Sequence, residues 1–235
     1  MADPKKTHPI LRYEHVSLGL AKGNGFLLEG IDFVLGSGEL LLLEVEEISC
    51  MELIGDIAQG LVEPLAGEVV FRGTTWGEMS QDEVDSNRAL IGRVFARDCW
   101  LHGMDLEGNI LLAGRHHGRL GDNELCTRAG HLARLFEMPR VPAMFADQAP
   151  PSVLAQAALI RALLGDPKLI IFENPVRKHM HLLPRLLKAV AEARGRGTGI
   201  LWMERNREIA NDPAIHATRH MNLQEFRKEE HGAAV

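Results

Sequence analysis

Residues 161–175 read RALLGDPKLIIFENP. An apolar helix end passes through a Gly165-Asp166-Pro167 turn into the uninterrupted apolar run 169–172. A short apolar run bounded by turn residues and entered from a helix predicts a strand buried on both faces of a parallel sheet. The run ends in Glu173-Asn174-Pro175. That places polar groups at the carboxyl end of the strand, where open α/β sheets carry their ligand sites.

The surrounding chain suits this assignment. Its 235 residues fit one α/β domain or one domain with an inserted subdomain, and 46% apolar residues suffice for a full core. A net charge of −6 argues against nucleic acid as a partner. The short basic runs Arg177-Lys178 and 194–196 read as solvated helix faces. Cys50, Cys99 and Cys126 show no CxxC spacing, which predicts a reducing compartment and no zinc framework. No signal-peptide pattern opens the sequence, and no stretch approaches ~18 consecutive apolar residues, so direct membrane insertion is not expected. Among 11 histidines, His216 and His220 are four apart in a segment that reads as strand, where the side chains do not converge. The histidines read as surface imidazoles, and no metal site is expected.

In chain order, residues 10–18 and 27–35 predict a hairpin-like pair, and 39–45 (ELLLLEV) a buried strand. Residues 67–73 (GEVVFRG) read as strand and turn, and Ser80-Gln-Asp-Glu83 is a capping box opening a helix over 80–87. A strand at 89–95 precedes a helical region at about 97–149, in which Leu125, Ala129, Leu132, Ala133 and Phe136 line one helix face. Pro150-Pro151 starts the helix leading into RALL. A helix at 184–194, strands at 199–203 and 217–223, and a mobile charged tail at 224–235 complete the expectation.

GEVVFRG, the Pro-Pro helix, RALLGDPKLIIFENP and the closing strand, taken in order over about residues 10–223, resemble the ATP-binding subunits of ABC transporters. The resemblance implies an α/β, P-loop NTPase-like sheet core with N-terminal antiparallel strands and an inserted helical subdomain, in a single domain over 1–235. It implies ATP hydrolysis coupled to transport, with ATP and Mg²⁺. It also implies pairing with a second ABC ATPase in a homodimer or heterodimer, and a cytoplasmic location at the membrane's inner face through a permease partner.

Each nucleotide motif departs from the family pattern. Counting back from residues 60–64 (GLVEP, against the family's GLLEP) places 46–52 on the phosphate loop. That loop needs glycines, a Lys and a Mg²⁺-binding hydroxyl. Here Glu47 and Cys50 fall on it, Met51 replaces the Lys, Glu52 replaces the hydroxyl, and no glycine lies between Val45 and Gly55. Glu46, Glu47 and Glu52 would repel phosphate, and as first-turn residues would also favour the helix dipole. Ala96 stands for a Mg²⁺-binding Gln, and Pro150, Pro151 and Ser152 for the LSGGQ signature. Glu173-Asn174 replaces Asp-Glu, and Arg205 the γ-phosphate His. Glu173 could hold Mg²⁺ in place of Asp, but Asn174 cannot act as a general base. Each lost charge-assisted hydrogen bond costs about 1.5–3 kcal/mol, so two or three move a micromolar site to millimolar or weaker.

The sequence therefore points to a degenerate, non-hydrolysing ABC-type subunit serving a transport complex as scaffold or regulator, with no catalytic residue intact and no cofactor. Two alternatives stand beside it: an ATP-hydrolysing subunit using ATP and Mg²⁺, and a stand-alone soluble binding module. In the family a permease helix enters a groove after the position of Ala96. Trp100, Leu101 and Met104 would line it here, or would fill the joint between core and insert.

Overall fold

The computed structural model describes residues 9–20, 26–97, 99–177 and 179–228. Among them the strands form two sheets. Antiparallel β1 (Leu11–Leu20) and β2 (Phe26–Leu35) are joined on the β1 side by β4 (Ala66–Phe71) and the short β5 (Thr74–Thr75). The turn between β1 and β2 lies outside the described residues. The second sheet is parallel, in the order β6-β7-β8-β3-β9. It comprises β3 (Leu40–Glu44), β6 (Ile91–Val94), β7 (Leu169–Glu173), β8 (Gly199–Glu204) and β9 (Arg219–Asn222).

The LLLLE, LIIFE and GILWME runs become β3, β7 and β8 because both faces of this sheet are covered. Alternate side chains enter separate cores. Leu40, Leu42, Ile170, Phe172, Ile200 and Trp202 face the larger helical layer. Leu41, Leu43, Leu169, Ile171, Leu201 and Met203 face α1 (Ile48–Ala58) and the antiparallel sheet. The helical layer holds α3 (Leu106–His117), α4 (Asp122–Leu135), α5 (Pro151–Leu163) and α6 (Leu183–Gly195). Leu125, Ala129, Ala133 and Phe136 are buried there, as the helical spacing predicts.

Local signals place the ends of these elements. Ser80 caps α2 (Gln81–Arg88): its hydroxyl accepts from the Glu83 N–H while Glu83 Oε2 accepts from the Ser80 N–H at 2.8 Å. Pro151 occupies the first turn of α5, where its missing N–H costs nothing. At Gly92 in β6, an added Cβ would lie 1.8 Å from the Ala162 carbonyl oxygen. Only glycine lets α5 sit against the strand at that distance.

The structure corrects several expectations. β6 starts at Ile91, because Ala89 and Leu90 still bond to Asp85 and Asn87 as α2 closes. His216 precedes β9 in a left-handed conformation, and only His220 is in the strand. Arg194 is a clamp rather than a solvated charge, donating to the carbonyls of Gly38 and His216 and to Thr218 Oγ1. Arg177 lies in a turn and donates to the Phe95 carbonyl; Lys178 lies outside the described residues. The start of the expected mobile tail is ordered: Leu223–Phe226 form a 3-10 turn, Arg227 bridges to Leu28, and the Lys228 N–H donates to the Leu27 carbonyl. Residues 229–235 lie outside the described residues.

Candidate functional site

The segment expected to form a phosphate loop is short and already hydrogen-bonded. β3 ends at Glu44, the Val45 N–H donates to the Glu204 carbonyl at 2.9 Å, and α1 begins at Ile48 with Glu47 as its N-cap. The connection is residues 45–47 alone. The N–H groups of Cys50 and Met51 both donate to the Glu47 carbonyl, at 3.1 and 3.2 Å. Residues 48–52 are helix, not loop, because no glycine interrupts them and Cys50, Met51, Ile54 and Ile57 bury one face at helical spacing. Met51 is fully buried, and burial together with the charge of Glu47 pushes the Cys50 thiol up to about 12, so it stays protonated.

The acidic residues here are not first-turn residues. Glu47 caps no N–H and pairs with Arg227 at 3.2 Å, and Glu52 lies in the second turn and pairs with Arg97 at 2.9 Å. Glu44 bonds His220 at 2.8 Å, while Arg207 stands 3.8 Å from both Glu44 and Glu46.

Beneath α1 lies a buried network that the sequence reading missed. Arg93 projects from β6 and engages partners through all three of its guanidinium nitrogens. Nε and Nη2 meet Glu173 Oε1 at 2.5 Å, Nη1 bonds Asp56 at 2.7 Å and Gln59 at 2.8 Å, and Nη2 bonds the Glu52 carbonyl at 3.0 Å. Glu173 Oε2 accepts the Ala96 N–H at 2.6 Å. Both oxygens of Glu173, the candidate Mg²⁺ ligand, are thus held by this chain's own donors. Burial pushes the Glu173 carboxyl above its usual range, opposed by Arg93 and the Ala96 N–H. A side chain at Gly55 would come 2.4 Å from Glu173 Oε1 and 2.6 Å from Arg93 Nη2, so glycine there is what lets the network reach the helix. The sequence signal was available: Arg93 is the one charge in the short strand IGRV.

A cleft of about 510 Å³ opens at the carboxyl ends of β7 and β8. It gathers Pro151, Asn174 and Arg205 from the expected set and adds Arg177, His179 and Asn206. Asn174 has φ of 51°, in the left-handed region, and its N–H donates to the Met203 carbonyl at 2.8 Å. Glu204, also missed, ends β8 fully buried and accepts the N–H groups of Arg205 and Asn206 at 3.0 Å each and the Trp202 indole at 3.3 Å. Burial raises its carboxyl above the usual range against those bonds. Pro150 is exposed beside the cleft and Ser152 is half-buried in the first turn of α5. Met51, Cys50, Glu47, Glu52 and Ala96 do not line this cleft. Among the described residues no group of three or more His, Cys, Asp or Glu is placed to hold a metal ion.

The stretch after Ala96 is held from below. The buried Asn109 side chain accepts the Leu101 N–H at 2.8 Å and donates to the Leu101, Met104 and Asp105 carbonyls. The Arg161 guanidinium lies 4.4 Å from the Trp100 ring centroid. Trp100 packs against the helical core, Met104 is half-buried, and Leu101 is 52% exposed.

No family model and no curated protein matches the sequence. Solved structures do. A dimeric bacterial ABC transporter cassette is similar with a TM-score of 0.77 and 16% identity, over 94% of this chain and 99% of that one. A cassette dimer in a post-hydrolysis state, bound to ADP and Pi, gives 0.70 and 18%, over 85% and 89%. The ATP-binding subunit of an ABC transporter gives 0.71 and 24%, over 86% and 81%. The cbiO1 protein of Clostridium perfringens, part of an ABC transporter complex, gives 0.64 and 16%, over 85% and 79%. With two sheets and a helical layer in the order described, this chain has the fold of the ABC-transporter ATP-binding cassettes.

Proposed function

We propose that this chain is a non-hydrolysing ABC-type subunit acting as scaffold or regulator in a membrane transport complex, on the cytoplasmic face through its partners. We read it as one domain over 1–235 with a helical insert at about 97–149. The observation that carries the reading is the connection of residues 45–47. A phosphate cradle needs a run of backbone N–H groups turned outward, whereas the Cys50 and Met51 N–H groups bond to Glu47 within the helix.

The other ligand positions point the same way. Met51 is core, the Glu173 oxygens are engaged by Arg93 and Ala96, Asn174 offers no base, and Pro151 offers no N–H at the start of α5. These residues do not fit a Mg²⁺-nucleotide. Partners would be a permease, meeting Trp100, Leu101 and Met104, or a second cassette in a homodimer or heterodimer. Two other readings each have one support. ATP hydrolysis has the similarity to a cassette holding ADP and Pi; a stand-alone binding module has the cleft with Arg177, His179 and Arg205.

Two measurements test the proposal. A ligand at 100 times its dissociation constant stabilises by about 2.7 kcal/mol, so thermal melting with millimolar Mg²⁺-ATP is expected to show no shift. A clear shift at lower ATP returns the argument to hydrolysis. Leu101→Asp, at an exposed position, should leave melting unchanged and abolish co-purification of a membrane subunit from detergent extract. Purification alone at every salt concentration would favour the stand-alone module.

A further inference from the structure

A second cavity, of about 330 Å³, shares no residue with the cleft. It lies between the end of α1, strand β4 and the turn after β5, with Ile57, Val69 and Trp76 among its walls. Those walls are fixed. Trp76 stacks on Phe71 with centroids 5.3 Å apart, and Arg88 lies 6.0 Å from the Trp76 ring while donating to the Gln59 and Gly60 carbonyls.

Two features belong together here. Val62 lines the cavity, and Leu61 and Leu65 flank its lining residues in the sequence. Leu61, Val62 and Leu65 are 53%, 42% and 68% exposed in one short stretch. A single exposed leucine needs no explanation, but three large apolar side chains beside a cavity mark a contact surface. Glu63 and Glu68 also line the cavity and are exposed. Among the described residues neither has a cationic partner, although Glu44, Glu46, Glu47 and Glu52 all have one.

We propose that this cavity is a docking site for a segment of a partner protein that presents a lysine or arginine between apolar side chains. The methylene stem of such a residue suits the Trp76, Ile57 and Val69 walls, and its head the two carboxylates. The flanking apolar side chains suit Leu61, Val62 and Leu65. The two carboxylates argue against an anionic lipid surface, which they would repel.

The probe is a short labelled peptide alternating lysine and leucine, titrated by fluorescence anisotropy at low salt. Glu63→Gln with Glu68→Gln, and separately Leu65→Ser with Val62→Ser, should each weaken binding by about tenfold with unchanged melting. The control pair Glu192→Gln with Glu225→Gln, also at exposed positions, should leave affinity within about twofold. Amide shifts in an NMR titration should centre on residues 60–69 and 75–77.

Equal loss in the control pair, equal binding of a glutamate-leucine peptide, or shifts centred on Asn174 and Arg205 would each overturn the proposal. So would binding to phosphatidylglycerol vesicles with none to the peptide. Self-association abolished by Leu65→Ser would make a second copy of this chain the occupant and refute a separate partner.

Discussion

Removing Arg93 should damage this protein more than removing its main partner. Arg93→Met leaves Glu173, fully buried, with one remaining donor, the Ala96 N–H. Breaking a buried pair in this way costs about 3–5 kcal/mol. Glu173→Met leaves Arg93 with Asp56, Gln59 and the Glu52 carbonyl, so the loss is that of its charge-assisted bonds, about 1.5–3 kcal/mol. In the double variant no unpaired charge remains beside β7, and about 2 kcal/mol of the Arg93→Met loss should return as coupling. The pH dependence separates this from simple packing loss. Burial already raises Glu173 above its ordinary 4.5, and Arg93 is the largest opposing influence. Without Arg93 the folded form holds its proton more tightly than the unfolded chain does. In Arg93→Met this contribution should therefore be present in full below the unfolded value and be lost as pH rises through the folded one, by up to about 1.4 kcal/mol per pH unit. Urea unfolding followed by tryptophan fluorescence at roughly pH 5 and 8 reads this directly. Equal losses for the two single variants, strict additivity in the double, or no pH slope in Arg93→Met would refute the reasoning.

Other substitutions test neighbouring features. Met51→Lys, which would supply the missing phosphate-loop cation, should instead lose at least about 2–5 kcal/mol because Met51 is fully buried. It should release no phosphate from ATP, alone or with Asn174→Glu, in a melt paired with a phosphate assay. Gly55→Ala places a methyl 2.4 Å from Glu173 Oε1 and should cost about 1–3 kcal/mol in a denaturant titration. Ser80→Ala should cost about 1 kcal/mol. Separately, hydrogen bonds from the Ser80 hydroxyl and N–H hold the Glu83 carboxyl below its usual range, so the effect of those bonds is present above the unfolded value and lost as pH falls through the folded one. The variant's acid limb should accordingly be flatter than the wild type's.

What the sequence disclosed follows from how local each signal is. The runs in β3, β7 and β8 and the Ser80–Glu83 box are complete within a few residues, so the sequence alone specifies them. The Arg93–Glu173 bond joins positions 80 apart, and nothing near Arg93 names its partner. The loop expected over 46–52 is mostly helix because a motif count fixes positions but not backbone conformation. Residues 48–52 lie where the count puts them, yet as helix, since nothing in ISCME breaks one. The tail was read as mobile from its charge, but Arg227 and Lys228 find Glu47 and Glu29 at long range.

The glycine at position 92 also bears on how the molecule can move. With the Ala162 carbonyl 1.8 Å from where a Cβ would stand, α5 has no side-chain cushion over β6 at that point. Since packed interfaces shift between discrete arrangements rather than deform smoothly, α5 must travel with the sheet as one stiff plate. Helices α3 and α4 pack chiefly on α5. Any load that a partner places near Leu101 therefore enters the plate through that helix, and the seam able to yield is the one between α5 and the α3–α4 pair.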